Sequence, residues 1–498
     1  MYGTKGTCYC YRSTNLMDWE AIGNAIDKYV SEEIRQVLDK NVFAPEVVYD
    51  KDTQEYYMFF SATPALSEST YILLVATSKS PYKDFKLVNF AEIEDRSKYE
   101  EYYAKYSYFD PEKLKDFYEE EKNYADAFGG YLPSIDPHPY EDETGKYLFW
   151  VDQDKNDRIC AVKMKDDNWL TPDWSTVTVL THAHYRSTNT TETVEYDFMG
   201  SNGYYVNEAP AVIKHEGKYY LTYSSGRFAT NSYRVIQAVA EPDANGGPLG
   251  AYQKLDEKDG AIILSSGRSD NRKVTGTGHH SFVTAGDKLY MVYHRHDDPV
   301  NMGSERNPAI DEVKWITNSN GLDVLYANGP TCTLQPKIDA FSEYTNIADE
   351  ATVSVASGAA SDVACLTDGF LSISNMANSD VVKQVGETKI TETTTFAFNF
   401  NLARDVRGIM VYNSKKRNTI FTNISKIELV CVENGVEVTR TIENIAFNSE
   451  YYTDDYVTLG AAAFTEFASM NVKSIKITVD VPVGQQTVGI SEVRILGK

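Results

Sequence analysis

Cysteine, tryptophan and basic residues are scarce in this sequence. Its 498 residues include six cysteines and five tryptophans, too few cysteines for a disulfide-stabilised scaffold. Lysine and arginine total 48 against 72 aspartates and glutamates, which gives a formal net charge of −24. This charge argues against nucleic acid or an anionic membrane surface as a partner, because both attract clustered basic residues. No apolar run approaches the roughly 20 residues that a membrane-spanning helix needs.

Tyrosine, in contrast, is abundant, with 36 copies. It favours β-strands, and it also suits sugar-binding surfaces because it offers an apolar ring face and a hydroxyl group. The length of the chain exceeds one ordinary hydrophobic core, so we expect two or more domains.

One phrase recurs through the first two thirds of the chain. "FAPEVVYDKDTQEYYMFFSA" begins at residue 43, "SIDPHPYEDETGKYLFWVD" at 134, "NEAPAVIKHEGKYYLTYSS" at 207 and "GHHSFVTAGDKLYMVYHR" at 278. Each copy has the pattern of a β-hairpin with alternating aromatic residues. Prolines stand at 45, 137 and 210, and Ser281 takes the equivalent place in the last copy, so the spacings are 92, 73 and 71 residues. Hairpins at such intervals predict a β-propeller with one hairpin in each blade.

Two segments depart from the regular spacing. Residues 110–128, rich in acidic side chains, resemble a helical insertion that is either a solvated face or an overhang on the pocket. The opening "MYGTKG" resembles the end of a second strand, as in "TYSSGR" at 222–227. The matching proline would then fall before Met1, so we expect five blades with the first incomplete.

Two acidic residues lie beside these prolines. Asp136 directly precedes its proline, and Glu208 lies two residues before the next one. A propeller brings the first strand of each blade to the central axis, so the two carboxylates are expected in one pocket. Converging carboxylates raise one pKa and create a proton donor, which glycoside hydrolysis requires. The alternative is that each acid caps a strand by bonding to backbone amides.

Several motifs together resemble family 43 of the glycoside hydrolases. They are "FAPEVVYD", "IDPHPYEDETGKYLFW", "NEAPAVIKHEGKYYLTYS", "GTGHHSFV", "ERNPAIDEVKW" and "NGPT", and the match runs from residue 1 to about 335. The resemblance implies a five-bladed propeller and an inverting mechanism. Glu208 would be the general acid, and Asp136 would tune its pKa and hold it in place. The general base would be an aspartate of blade one. No position in this chain matches it, and the repeat places it just upstream of Met1.

The resemblance also points to binding residues. His279 matches a histidine near the pore axis that helps hold a cation or a water molecule, so a structural calcium ion at the axis is an option, although no cofactor is required. A hydrogen-bonded core histidine is the alternative. Arg306 matches an arginine close to the acids, where it would hold a sugar hydroxyl or a carboxylate, against an ordinary salt bridge. Phe43 would line the sugar pocket, against packing under the blade.

The sequence changes character after "NGPTCTLQPKIDAFSEYTNIADE". Aromatic residues become fewer, and alternating strands dominate. Phe396, Phe398, Phe400 and Leu402 are predicted on one face, as are Ile427, Leu429 and Cys431 before the Asn-Gly turn at 434. Short alternating strands with almost no helix predict a β-sandwich. The ends of this region resemble a discoidin-type, galactose-binding-like jelly roll, whose role would be carbohydrate binding or bracing of the propeller.

These observations predict an all-β chain with a propeller over residues 1–338 and a β-sandwich over 339–498. We expect a glycoside hydrolase that removes terminal pentoses from plant cell-wall polysaccharides or oligosaccharides, as an α-L-arabinofuranosidase or a β-xylosidase. An exo-acting galactanase and a non-hydrolytic carbohydrate-binding propeller are the alternatives. The resemblance implies a secreted or periplasmic protein, although no signal peptide can be read from the sequence.

Overall fold

A computed structural model gives the architecture of the chain. It describes residues 1–4, 6, 8–26, 38–64, 71–88, 134–153, 157–165, 168–183, 198–199, 204–266, 274–331, 334–371, 386–414, 416–446 and 460–498. These residues form two compact units. The first comprises Met1–Arg227, Val235–Asp256 and Gly278–His280, and the second comprises Phe228–Arg234, Glu257–Thr277 and Ser281–Lys498.

Five antiparallel sheets follow one another along the chain. Blade 1 contains β1 Tyr2–Gly3, β2 Tyr9–Arg12 and β3 Glu20–Asn24. Blade 2 contains β4 Leu38–Asp50, β5 Glu55–Pro64, β6 Ile72–Ser78 and β7 Lys86–Leu87. Blade 3 contains β8 Ser134–Asp142, β9 Gly145–Asp152, β10 Arg158–Lys163 and β11 Thr178–His182. A short pair, β12 Phe198–Met199 and β13 Tyr204–Tyr205, precedes blade 4, which contains β14 Asn207–His215, β15 Lys218–Ser225, β16 Arg234–Ala240 and β17 Gln253–Lys254. After β18 Ile262–Ser265, blade 5 contains β19 Gly278–Ala285, β20 Lys288–His296, β21 Arg306–Thr317 and β22 Asp323–Ala327.

The aromatic alternation of the hairpins builds the core of the first unit. Successive residues of β5 point to opposite faces of their sheet. Tyr57 and Phe59 pack with Trp150 of blade 3, whereas Met58 and Phe60 pack with buried residues of blade 1. Blade 2 therefore has an apolar surface on each side, as a propeller requires.

The rest of the second unit is a separate eight-stranded sheet system. Its strands are β23 Thr345–Asn346, β24 Ala351–Ser357, β25 Thr388–Ile390, β26 Thr394–Asn413, β27 Asn423–Glu433, β28 Val436–Ala446, β29 Ala462–Val479 and β30 Val488–Gly497. The long strand β26 is bulged, and its first part pairs with β24 and β29 while its later part pairs with β29 and β30. One apolar core lies between these strands.

Two predictions from the sequence concern single residues of this region. Asn434 and Gly435 join β27 to β28 with φ values of 52° and 81°, the left-handed geometry that an Asn-Gly hairpin turn needs, so the predicted turn is confirmed. The prediction that Leu402 shares one face with Phe396 and Phe400 is wrong, because those two residues are buried whereas Leu402 is 71% exposed. The register of β26 is lost between Asn399 and Arg404, and this bulge turns Leu402 away from the core.

The predicted all-β class and five-bladed propeller arrangement are confirmed. The helices of the described residues are short 3₁₀ turns: Trp174–Thr176, Glu257–Asp259, Asp339–Phe341, Ala348–Glu350, Val363–Leu366 and Arg417–Thr419. None of the helices in the described part of the chain could cross a membrane. The predicted insertion at 110–128 lies outside the described residues. The domain boundary at 338 and the discoidin resemblance remain predictions.

Candidate active site

A bulge with an unusual backbone recurs in the first strands of the blades. Ala44, Asp136 and Ala209 each precede a proline, and their φ values are 48°, 53° and 54°. The ladder loses register around each of them, from 43 to 46, from 135 to 138 and from 208 to 211. Residues before proline usually avoid this left-handed conformation, which costs a non-glycine residue about 1–3 kcal/mol. Strain repeated at equivalent places points to a functional site.

Asp136 is held by both neighbouring blades. It is 5% exposed, and its backbone N–H donates to the Ser61 hydroxyl of blade 2 over 3.0 Å. Its carboxylate oxygen Oδ2 accepts the Ala209 N–H of blade 4 over 2.9 Å. The carboxylate is therefore fixed against the backbone of the residue that follows Glu208.

Glu208 is half-buried and pairs with Ser224 across the hairpin. Glu208 lies two residues before the proline of its blade, as Phe43 does in blade 2. Asp136 lies directly before its proline, as Ala209 does in blade 4. The two acids thus hold neighbouring rather than identical places in the repeat. The bond between Asp136 and the Ala209 amide nevertheless brings both to the same junction of blades 3 and 4.

Phe43 lies at the corresponding junction of blades 2 and 3. It is half-buried, and it pairs with Ser61, whose hydroxyl accepts the Asp136 N–H. Its ring meets that of Tyr71 edge to face, with centroids 5.3 Å apart. Tyr71 was not predicted from the sequence, because it lies outside the recurring phrase. Together the two rings form a partly exposed aromatic surface near Asp136, suited to the apolar face of a sugar.

The last copy of the repeat carries histidines at this place. His279 has a φ of 48°, and its N–H donates to the Ser224 hydroxyl over 2.8 Å, as the Asp136 N–H does to Ser61. His279 is therefore the equivalent of Asp136, and His280, not Ser281, takes the place of the proline. The assignment of Ser281 was wrong by one residue because the left-handed bulge cannot be read from a copy that lacks proline.

His280 is buried, and its Nε2 lies 2.7 Å from the Thr222 hydroxyl. Burial lowers the pKa of His280 to about 3, so its ring is neutral at physiological pH. His279 is half-buried. Across the described ranges, no group of three or more His, Cys, Asp or Glu side chains could hold a metal ion. A calcium ion at His279 therefore remains a prediction. Among the described residues, no group of three such side chains includes His279.

Arg306 belongs to the second unit. It is exposed, its guanidinium carbon lies 4.7 Å from the centre of the Phe228 ring, and Nη1 lies 3.3 Å from His294 Nε2. The predicted role of Arg306 in holding sugar or carboxylate remains a prediction.

A histidine that the sequence analysis did not single out joins three blades. His138 follows the bulge of blade 3, and its Nδ1 lies 2.7 Å from Glu46 Oε1 of blade 2. Its Nε2 accepts the Val212 N–H of blade 4 over 3.1 Å. Glu46 and His138 each directly follow a recurring proline, which is a signal that the repeat contains.

A buried ion pair joins the hairpins of blades 2 and 3 near their turns. Lys146 Nζ of blade 3 lies 2.8 Å from Asp50 Oδ2 of blade 2, and both side chains are 2% exposed. Burial alone would raise the pKa of Asp50, but the bonds from Lys146 and from the Thr53 and Asp52 amides outweigh it and lower the pKa. The pair fixes the position of blade 3 against blade 2.

Comparison with known proteins adds one family. Residues 118–319 match the family model described as glycosyl hydrolases family 43. A search of curated proteins gives no match.

Comparison with solved structures gives matches that cover about two thirds of this chain. One is a thermostable family-43 glycoside hydrolase, 27% identical, with 68% of this chain and 90% of that chain covered and a TM-score of 0.48. Another is an endo-1,4-beta-xylanase from Bacteroides thetaiotaomicron, 21% identical, with coverage of 66% and 89% and a TM-score of 0.43. A third is an alpha-L-arabinofuranosidase from Lactobacillus brevis, 17% identical, with coverage of 64% and 86% and a TM-score of 0.42.

Proposed function

We propose that this protein is a glycoside hydrolase of family 43. One observation carries the proposal: the Asp136 carboxylate accepts the amide N–H of the residue that follows Glu208, so the two acidic residues belong to one strained junction between adjacent blades. The match of residues 118–319 to the family model supports the same conclusion.

Glu208 is the general acid in this proposal. It is half-buried, so it can reach a bound sugar. Protonation of the departing glycosidic oxygen requires a carboxyl group that keeps its proton near neutral pH. The negative charge of Asp136 at the same junction favours the protonated form of Glu208, because two nearby carboxylates repel each other.

Asp136 is a positioning residue for that acid. Its bond to the Ala209 N–H is charge-assisted and fixes the backbone beside Glu208. An inverting reaction also needs a base that activates water on the opposite face of the sugar. The proposal assigns no residue to that role.

The proposed substrate is a terminal pentose of a plant polysaccharide or oligosaccharide, α-L-arabinofuranose or β-xylose. Phe43 and Tyr71 present an aromatic surface beside Asp136, which suits stacking against a sugar ring. An exo-acting galactanase is the competing substrate assignment.

Hydrolysis of phenyl α-L-arabinofuranoside, phenyl β-xyloside and phenyl β-galactoside by the full chain tests the proposal. We expect release from one of the three, and loss of that release in Glu208→Gln. Glu216→Gln is the matched control, because Glu216 lies exposed at the tip of the same hairpin. Equal activity in Glu208→Gln and the native chain would overturn the assignment of the acid. Sugar binding without release from any substrate would instead favour a non-hydrolytic carbohydrate-binding propeller.

The stereochemistry has its own test. Proton NMR of the first product formed shows its anomeric configuration. Inversion is expected, and a product that retains the substrate configuration would contradict the single-displacement mechanism.

A further inference from the structure

We propose that His138, fixed by Glu46, is a positioning residue for the general acid Glu208. This inference rests on the proposed function, and it concerns a contact between blades that the repeat pattern of the sequence does not display. The Glu46–His138–Val212 chain of hydrogen bonds is called the histidine bridge below.

The two hydrogen-bond partners of His138 determine which ring nitrogen carries the proton. The Val212 N–H points at Nε2 of His138, so this nitrogen carries no proton and acts as the acceptor. In the neutral ring the proton is then on Nδ1, which donates to the Glu46 carboxylate over 2.7 Å. His138 is 8% exposed, and its bond to the Val212 amide is buried, so water competes little for that bond. Glu46 therefore selects the tautomer that can accept the Val212 amide.

The histidine bridge ends at Val212, beside the bulge of β14 that carries Glu208. Strand β14 loses its ladder register between Glu208 and Ala211, and Pro210 has no N–H to donate. The amides at the two ends of this bulge, those of Ala209 and Val212, both donate to side chains of β8.

The acceptors on β8 are two residues apart. Asp136 takes the Ala209 amide and His138 takes the Val212 amide, so both side chains of the bulged stretch of β8 reach β14. One strand therefore holds the bulge of its neighbour at both ends. Rotation of that bulge would move Glu208, and two attachment points resist rotation better than one.

The consequence for catalysis is specific. Misplacement of a catalytic group by about 1 Å can cost on the order of a hundredfold in rate. A misplaced general acid slows the release of a poor leaving group, whereas a good leaving group departs without a proton. Loss of the bridge should therefore reduce kcat for phenyl glycosides far more than for dinitrophenyl glycosides, with little change in KM.

Two conservative variants separate the two halves of the bridge. His138→Gln can place an amide oxygen near the position of Nε2 and so still accept the Val212 N–H. His138→Asn can place a donor near Nδ1 and so keep only the bond to Glu46. His138→Phe keeps the ring volume and loses both bonds. His215→Phe is the matched control, because His215 lies on β14 with Glu208 but at the turn end of that strand.

The expected result is a graded loss that depends on the leaving group. With the preferred phenyl glycoside, kcat should fall about 10- to 100-fold in His138→Phe and His138→Asn. It should stay within roughly threefold of native in His138→Gln and in the control. With the dinitrophenyl glycoside all four variants should stay within roughly threefold of native. Equal losses on both substrates, or identical behaviour of the Gln and Asn variants, would overturn the proposal.

Hydrogen–deuterium exchange of the peptide Asn207–His215 gives a readout that does not need turnover. Exchange at the Val212 amide should accelerate in the Phe and Asn variants and stay native in the Gln variant. If the native chain proves inactive on every substrate, the proposed function fails, while this exchange pattern still decides whether the bridge holds the bulge. Native exchange in His138→Phe would contradict the bridge itself.

Discussion

At the scale of single residues, the proposed site depends on a left-handed backbone conformation that the sequence signals only where proline follows. Asp136 was predictable because it precedes Pro137 in a recurring phrase. The one-residue offset between Asp136 and Glu208 follows from the left-handed φ of the bulge, which is a three-dimensional property. His138 was missed because its partners, Glu46 and Val212, lie 92 and 74 residues away along the chain.

Asp136→Asn should separate position from charge. The amide oxygen of asparagine can still accept the Ala209 N–H, so the bulge should keep its shape. Without the negative charge, the pKa of Glu208 should fall, and Glu208 should lose its proton at lower pH. The alkaline limb of the kcat/KM profile should therefore move to lower pH. An unchanged limb in a variant that keeps native amide exchange at Ala209 would show that Asp136 does not tune the acid.

At the scale of strands and turns, the sequence predicted the structure correctly where residues with a strong turn preference were present. The Asn434–Gly435 turn was predicted and observed because few other residues adopt two successive left-handed conformations. The face of Leu402 was predicted wrongly, because strict alternation cannot foresee a bulge inside a 20-residue strand.

Gly435→Ala should destabilise the β27–β28 hairpin. A Cβ at this position meets nothing within 4 Å, so the cost comes from the left-handed φ of 81° alone. About 1–2 kcal/mol is expected, seen as a lower urea midpoint of the transition that involves this region. Asn434→Gly serves as the control and should cost little, because glycine adopts the same conformation freely. Equal destabilisation by both changes would show that the turn geometry is wrong.

Lys146→Met should strongly destabilise the contact between blades 2 and 3. It leaves the Asp50 carboxylate buried and without its cation, a loss of about 3–5 kcal/mol. Because the folded-state pKa of Asp50 is depressed, its contribution to stability is present above its unfolded-state pKa and is lost as the pH falls through the folded value.

The double variant Asp50→Leu with Lys146→Met should recover most of that loss, since no charge remains buried. Differential scanning calorimetry at neutral pH compares the three proteins. If Lys146→Met were as stable as the native chain, the stabilising role of the buried Asp50–Lys146 pair would be contradicted.

At the scale of the whole molecule, repetition made the fold predictable. Four hairpin phrases and the alternating aromatics are enough to predict blades, because each blade must bury both of its faces. The attachment of residues 369–371 to blade 5 was not predictable, since it depends on polar and aromatic contacts within the second unit between residues far apart along the chain. Asn328, 2% exposed, donates to the Gly369 carbonyl over 2.9 Å and accepts the Leu371 N–H over 3.0 Å.

Asn328→Ala should loosen this attachment of blade 5 to the C-terminal residues. The buried Leu371 N–H and the partly buried Gly369 carbonyl lose their partner, and the buried amide left unsatisfied should cost about 1–3 kcal/mol. Limited proteolysis should then cut between residues 331 and 371 faster than in the native chain. Asn320→Ala, at an exposed turn, is the control. Native resistance in Asn328→Ala would show that the two bonds do not hold the junction.

The central claim is that Glu208 is a general acid held at a strained junction of two blades. Its most direct test is hydrolysis of phenyl and dinitrophenyl glycosides of the preferred sugar by Glu208→Gln. A proton donor is needed for the poor leaving group only. We predict that release of phenol is lost by at least about a hundredfold while release of dinitrophenol is largely kept. Equal retention of both rates would contradict the account.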